Sequence, residues 1–162
     1  MTDVAAMAGL DFVPLWGIAP DDIARLMNDE RVGRYLPLLQ RPFTARDCQA
    51  FLDAKRKLWD EHGYGPCAIL IGGQFAGWGG LQPEQGDVDF ALVLRPEYWG
   101  WGRRIFDRIK AQAFSDMRLQ SITILLPPGR HNTRAVIRLG FTPDGQATVN
   151  GKAFERYRLS RP

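Results

Sequence analysis

The chain has 162 residues, 45% of them hydrophobic and 24% charged, with a formal net charge of +3. That size and balance suit one globular domain, residues 1–162, with a sizeable core. Despite an isoelectric point near 9.1, so small an excess of cations excludes the dense basic stripe of a dedicated nucleic-acid binder. Cys48 and Cys67 lack CxxC spacing and His62 and His131 lie far apart, so no metal is expected and both thiols should be buried and reduced. No apolar run reaches the length of a membrane span and no basic start precedes an apolar stretch at the N-terminus, which predicts a cytoplasmic protein.

In chain order, "LDFVPLW" reads as a short strand, and "APDDIARLMND" as a helix with acids in its first turn and Ile23, Leu26 and Met27 on one face. "RYLPLLQRPFT" breaks the pattern with two prolines. A helical stripe then runs through Cys48, Phe51, Leu52, Lys55, Leu58 and Trp59, with Thr44 as N-cap, and reads as core. "CAILIGGQFAGWGGL" is two apolar strands about Gly72-Gly73, a tight hairpin turn because both glycines take positive φ. "DVDFALVL" is a further strand, a helix follows from about Arg103 to Met117, and "SITILLP" is the strand after it. A short helix over roughly 132–139 stops at Gly140, and "GQATVNGKAFERYRL" is a hairpin turning at Asn-Gly. The order β-α-α-β-β-β-α-β-α-β-β predicts a mixed α/β sheet, without internal repeat or linker.

The stretch "VLRPEYWGWGRRIFDRI" carries the most chemistry. A strand that passes through Gly100 and Gly102 into a helix leaves the helix's first N–H groups unpaired, and glycine lets a ligand approach them closely. The helix dipole and Arg103 and Arg104 add positive potential, so the segment suits a pyrophosphate. A glycine-rich turn with two surface arginines is the alternative. Neither a P-loop nor a dinucleotide fingerprint is present, since the GK[ST] ending is missing and Ile105 stands where the third glycine belongs.

"LVLRPEYWGWG" resembles the acetyl-coenzyme A signature of the GNAT acetyltransferase superfamily, and more narrowly the Rim-like branch that acetylates protein N-terminal amines. "DERVGRYLP" at 29–37 and "RLGF" at 138–141 are similar to that branch's first helix-loop and the end of its last helix. The resemblance implies a mixed, mostly antiparallel central sheet flanked by helices. It implies acetyl-CoA as acyl donor, held by the main chain of Leu92, Val93 and Leu94 and by Trp99, Gly100, Trp101, Gly102, Arg103 and Arg104. The sequence departs from the family at Arg104, where Gly or Ala is usual. It departs again in the last helix, where an ungapped alignment puts Gly129 on the family's Asn, and matching Asn132 instead removes about three residues. Val136 stands where many members carry a Tyr as general acid.

An amine must lose a proton to attack a thioester, and a partly buried carboxylate can take it. Asp87 and Asp89 share one face of the strand leading to the proposed site. Asp89 stands where the Rim-like branch carries a strand Glu, which makes it the first candidate for base, with Asp87 second. A backbone N–H near Val93 is the candidate oxyanion donor. Glu30, Tyr35 and Tyr64 are candidates for contacts with the acceptor. The leading reading is an N-acetyltransferase, monomer or homodimer, acting on a protein or peptide N-terminal amine. Acetylation of a small amine (a polyamine, aminoglycoside or amino acid derivative) and a catalytically silent coenzyme A binding module are the alternatives.

Overall fold

The computed structural model describes residues 9–39, 41–129 and 133–162. Its elements are β1 (Leu10–Val13), α1 (Pro20–Asn28), the one-turn α2 (Glu30–Gly33), α3 (Ala45–His62), β2 (Cys67–Ile71), β3 (Gln74–Glu84), β4 (Asp87–Leu94), α4 (Gly102–Ala111), β5 (Ser121–Leu126), α5 (Thr133–Arg138), β6 (Thr142–Val149) and β7 (Lys152–Ser160). This is the predicted order with α2 added. The helix expected to reach Met117 is α-helical only to Ala111 and widens to a π turn over Gln112–Asp116, which buries both Ala113 and Phe114.

Local chemistry fixes the element ends. The Thr44 hydroxyl accepts from the Asp47 N–H, the Asp47 carboxylate accepts from the Thr44 N–H, and Gly63 closes the same helix at φ +76°. The Gly72-Gly73 and Asn150-Gly151 turns both take positive φ at each central residue, as a two-residue hairpin requires.

The seven strands form one sheet in the order β1-β2-β3-β4-β5-β7-β6, antiparallel throughout except between β4 and β5. On one face Ile23, Leu26 and Met27 of α1 and Cys48 and Leu52 of α3 pack on Ala68, Trp78 and Val93. On the other, Ile105, Phe106 and Ile109 of α4 and Val136 of α5 pack on Ile69, Phe90, Leu94, Ile122 and Ile124. Strand alternation thus turns Asp89, Ala91 and Val93 toward α3, and Phe90, Leu92 and Leu94 toward α4. Cys48 is buried, whereas Cys67 is only partly so, because it begins an edge-near strand instead of lying under a helix; both are free thiols. His62 is exposed with its ring edge on Tyr64, and His131 lies outside the described residues.

At Gly77 β4 leaves no room for a side chain on β3, since a Cβ would lie 2.1 Å from the Val93 carbonyl oxygen. Gly77→Ala is therefore expected to cost about 3 kcal/mol or more, because the obstacle is backbone that cannot rotate away. A lowered denaturant midpoint checks it. Among the described residues, no helix is long and apolar enough to cross a membrane and no cluster of His, Cys, Asp and Glu is placed to hold a metal.

Candidate active site

β4 and β5 pair at a single position, Asp89 opposite Thr123. There the Thr123 hydroxyl donates to Asp89 Oδ1 at 2.8 Å, buried inside the sheet. Beyond this rung the two parallel strands part, and a cavity of about 780 Å³ lies between them, lined by residues 89–93 on one side and 124–127 on the other.

The antiparallel ladder decides which main-chain groups face this opening. The Arg95 N–H donates to the Ala76 carbonyl, and because hydrogen-bonded pairs alternate, Val93 opposite Trp78 belongs to the same set. Val93 therefore turns its N–H and C=O to β3, and its carbonyl oxygen indeed lies against Gly77. Leu92 and Leu94 turn theirs to the open side. This corrects the expectation for Val93: its amide belongs to the sheet, and the site's free amides belong to its neighbours. The Leu94 carbonyl is engaged by the Trp99 indole N–H at 3.0 Å, which braces the loop to the strand.

That loop, Pro96–Trp101, winds as a 3₁₀ turn directly into α4, and no side chain caps the helix. Neither glycine is demanded by the chain itself. A Cβ at Gly100 would meet nothing within 4 Å, a Cβ at Gly102 only the Leu92 side chain at 4.0 Å, and neither residue has positive φ. The free space around them suits a group brought from outside. Trp99, Gly102 and Arg103 line the cavity, as does Arg138 of α5, which the sequence reading did not single out. Arg103 pairs with Asp107 at 3.5 Å. Arg104 stacks its guanidinium 4.7 Å from the ring centre of Trp101, which packs partly buried against the α4-side core, and neither residue lines the cavity. Asn132 lies outside the described residues.

Asp89 is 6% exposed. Burial pushes its carboxyl up to about 8; the Thr123 hydrogen bond opposes this, and Glu84 and Asp87 add to it. Asp87, on the same face, is placed differently. Its two oxygens take Arg158 Nη1 and Nη2 at 3.0 and 3.2 Å, and Arg158 also binds Ser121 and Asp144, each at 2.8 Å. Its carboxylate is thus committed to an ion network and does not line the cavity.

Of the three acceptor candidates, only Tyr35 lines the cavity, its ring centre 6.1 Å from that of Trp99 in an edge-on arrangement. Glu30 begins α2, exposed and away from the cavity, and Tyr64 packs against the α4-side core and His62. The cavity is lined there instead by Phe43, Phe51, Lys55, Trp78, Gln82 and Phe154. Lys55 was visible in sequence as the one charge in an apolar helical stripe. Its Nζ donates to Gln82 Oε1 at 2.9 Å and lies 5.4 and 5.1 Å from the ring centres of Phe51 and Trp78.

A family model described as "Acetyltransferase (GNAT) domain" matches residues 15–142. Among solved structures, an acetyltransferase from Agrobacterium tumefaciens str. C58 superposes with a TM-score of 0.75 at 19% identity, over 94% of this chain and 91% of its own. A spermidine N-acetyltransferase from Vibrio cholerae, in complex with CoA and spermine, does so at 0.71 and 17% identity, over 95% and 96%. A GNAT family acetyltransferase from Bacillus anthracis follows at 0.68 and 17%, over 92% and 90%. At these identities the structures speak for the fold, and no protein of curated function matches the chain. With the family model spanning most of its length, and its sheet parted beside a glycine-containing loop, the chain belongs to the GNAT acetyltransferase superfamily.

Proposed function

We propose that the protein is an acetyl-CoA-dependent N-acetyltransferase in which Asp89 takes the proton of a primary amine that attacks the acyl group directly. The observation that carries this is the position of Asp89: a buried carboxyl at the vertex of the parted strands, with its proton affinity raised to about 8. An N-terminal amine has a pKa near 8, so base and amine exchange a proton with little free-energy difference near neutral pH.

Acetyl-CoA, when bound, supplies the thioester acyl group. Leu92 and the glycines of the loop offer main-chain contacts to its arm and diphosphate, and Arg103 and Arg138 offer cations at the cavity wall. The open-side N–H groups of Leu92 and Leu94 replace that of Val93 as candidate oxyanion donors. Calorimetric titration with acetyl-CoA tests the reading, and absence of binding would overturn it.

For the acceptor, the Rim-like resemblance favours a protein or peptide N-terminal amine. A small amine is the second reading, and the charge balance of the cavity narrows it. With Arg103 and Arg138 given to the diphosphate, the described residues leave Lys55 and Asp89 as the charges of the remaining cavity, without the surplus of carboxylates that would favour a polyamine such as the spermine in the Vibrio cholerae complex.

A further inference from the structure

We propose that Arg158 is a positioning residue for Asp89: it clasps Asp87 across β5, holding β4 and β5 together where their parting begins and neutralising the like charge beside the base. This rests on the acetyltransferase reading above and adds a residue to the same site.

The rung between Asp89 and Thr123 is the single pair of its ladder, and parallel pairing is the weaker kind. Two residues before it on each strand stand Asp87 and Ser121, on the same face as Asp89 and Thr123. Side chains join the strands there. Arg158 Nη1 donates to Asp87 Oδ1 at 3.0 Å and to Ser121 Oγ at 2.8 Å, and Nη2 donates to Asp87 Oδ2 at 3.2 Å. Its Nε donates to Asp144 Oδ2 at 2.8 Å, which steadies the guanidinium from β6.

Arg158 is also the direct cross-strand partner of Thr123, so Asp89, Thr123 and Arg158 stand in one row across β4, β5 and β7. A planar fork that takes both oxygens of a carboxylate has a fixed geometry that a lysine does not copy. The clasp fixes where the strands begin to part, not how widely they do.

The charges around Asp89 give the clasp its second task. Glu84 of β3 stands opposite Asp87, and both carboxyls raise the proton affinity of Asp89. Lys55 of α3 attracts Glu84 and binds Gln82, the cross-strand partner of Asp89, while Arg103 of α4 and Arg138 of α5 line the cavity. Arg158 is the cation bonded to Asp87, and the pair is partly buried, where salt screens it less than at the open surface. Without Arg158 an unpaired carboxylate would stand two strand residues, roughly 7 Å, from the base. A like charge at that distance opposes ionisation.

The test follows the Asp89 carboxyl in two ways: through the rising limb of kcat/KM with an N-terminal peptide amine, and directly by carbon-13 NMR of the side chain. The same acceptor is used throughout, so its own ionisation is common to every protein compared. Arg158→Met should move both titrations upward by about one pH unit, which lowers kcat/KM about 10-fold at pH 7. Arg158→Lys, which keeps the cation and loses the fork, should move them less. Asp87→Asn leaves Arg158 as an uncompensated cation and should move them downward. Joining Arg158→Met to Asp87→Asn removes both charges, so the titration should return near wild type while the plateau of kcat/KM stays several-fold low, the rung being unclasped. A merely structural residue would lower Tm without opposite movements of this kind. If Arg158→Met does not fold, Arg158→Lys and Asp87→Asn carry the test. Titrations that coincide with wild type in the folded variants overturn the inference, as does a double variant with a wild-type plateau. A wild type that binds no acetyl-CoA overturns the acetyltransferase reading and this role with it, an outcome that calorimetry reads apart from the titrations.

Discussion

Asp89→Asn is expected to lower kcat/KM for the amine by roughly 10²- to 10⁴-fold, the usual contribution of a positioned general base. Acetyl-CoA affinity should be unchanged, since Asp89 lies at the vertex of the parted strands and the loop proposed to hold the diphosphate follows the far end of β4. In the wild type only the ionised carboxylate accepts a proton, so kcat/KM should rise with pH and level off above about 8. In the variant the limb contributed by the carboxyl should be lost, leaving only the amine's own ionisation, near 8 for an N-terminal amine. A pH profile that is the same in both proteins would remove Asp89 from the chemistry.

The same carboxyl makes an opposite prediction for stability. Its folded pKa of about 8 exceeds its ordinary value of 3.8, so between roughly pH 4 and pH 8 the folded state holds a proton that the unfolded state has released. Stability must therefore fall as pH rises through that window and flatten above it. Asparagine keeps an oxygen to accept from Thr123 and never ionises. Asp89→Asn should accordingly raise Tm at neutral pH and remove the slope across that window, read by thermal melts at several pH values. A variant that is slower yet firmer separates loss of chemistry from loss of fold.

Gly102→Glu is expected to abolish detectable acetyl-CoA binding, a loss of 100-fold or more on the order of what one misplaced charge in a phosphate site produces. Tm should remain close to wild type. The structural reason is that a side chain at this position has room: its Cβ would meet only Leu92 at 4.0 Å, and the backbone is ordinary helix at φ −53°. The carboxylate then stands in the space left beside the helix's first turn, repelling an anion that the dipole would otherwise attract. Gly77→Ala provides the contrast, a glycine that the fold itself requires. Retained affinity in a folded Gly102→Glu protein would place the cofactor elsewhere.

Periodicity and turn chemistry made the strands and helices legible. "DVDFALVL" ends where β4 ends, and the Gly72-Gly73 and Asn150-Gly151 turns fall at their predicted places. The loop and Asp89 were legible through motif and alternation. What one strand's sequence could not supply was the partner strand: which way the Val93 amide faces depends on register with β3, and the fate of Asp87 depends on Arg158, 71 residues away. Lys55 was visible only as an anomaly in a stripe otherwise read as core. A charge tolerated on an apolar helix face signals a cavity beneath it, but the sequence does not show that cavity. Arg138 was quoted inside "RLGF" as a helix ending, while its reach to the cavity depends on how α5 lies over β5.

The single rung at Asp89 and Thr123 has a mechanical corollary. The left half-sheet, β1 to β4, and the right, β5 to β7, are each laced by antiparallel ladders of many pairs, broken only by irregularities at Ile69/Leu70 and Pro143/Gln146, yet only one pair joins the halves. The angle between the halves is consequently set by what is wedged behind them. Phe106 of α4 sits between Phe90 on the left and Phe141 near the right, with ring centres 5.2 and 5.5 Å apart. Phe90 and Phe106 also line the cavity, so shortening either ring removes packing behind the cleft and adds space to it at once. A substitution on the α4 side of the sheet can thus reshape the cleft while Asp89 and the loop stay as they are.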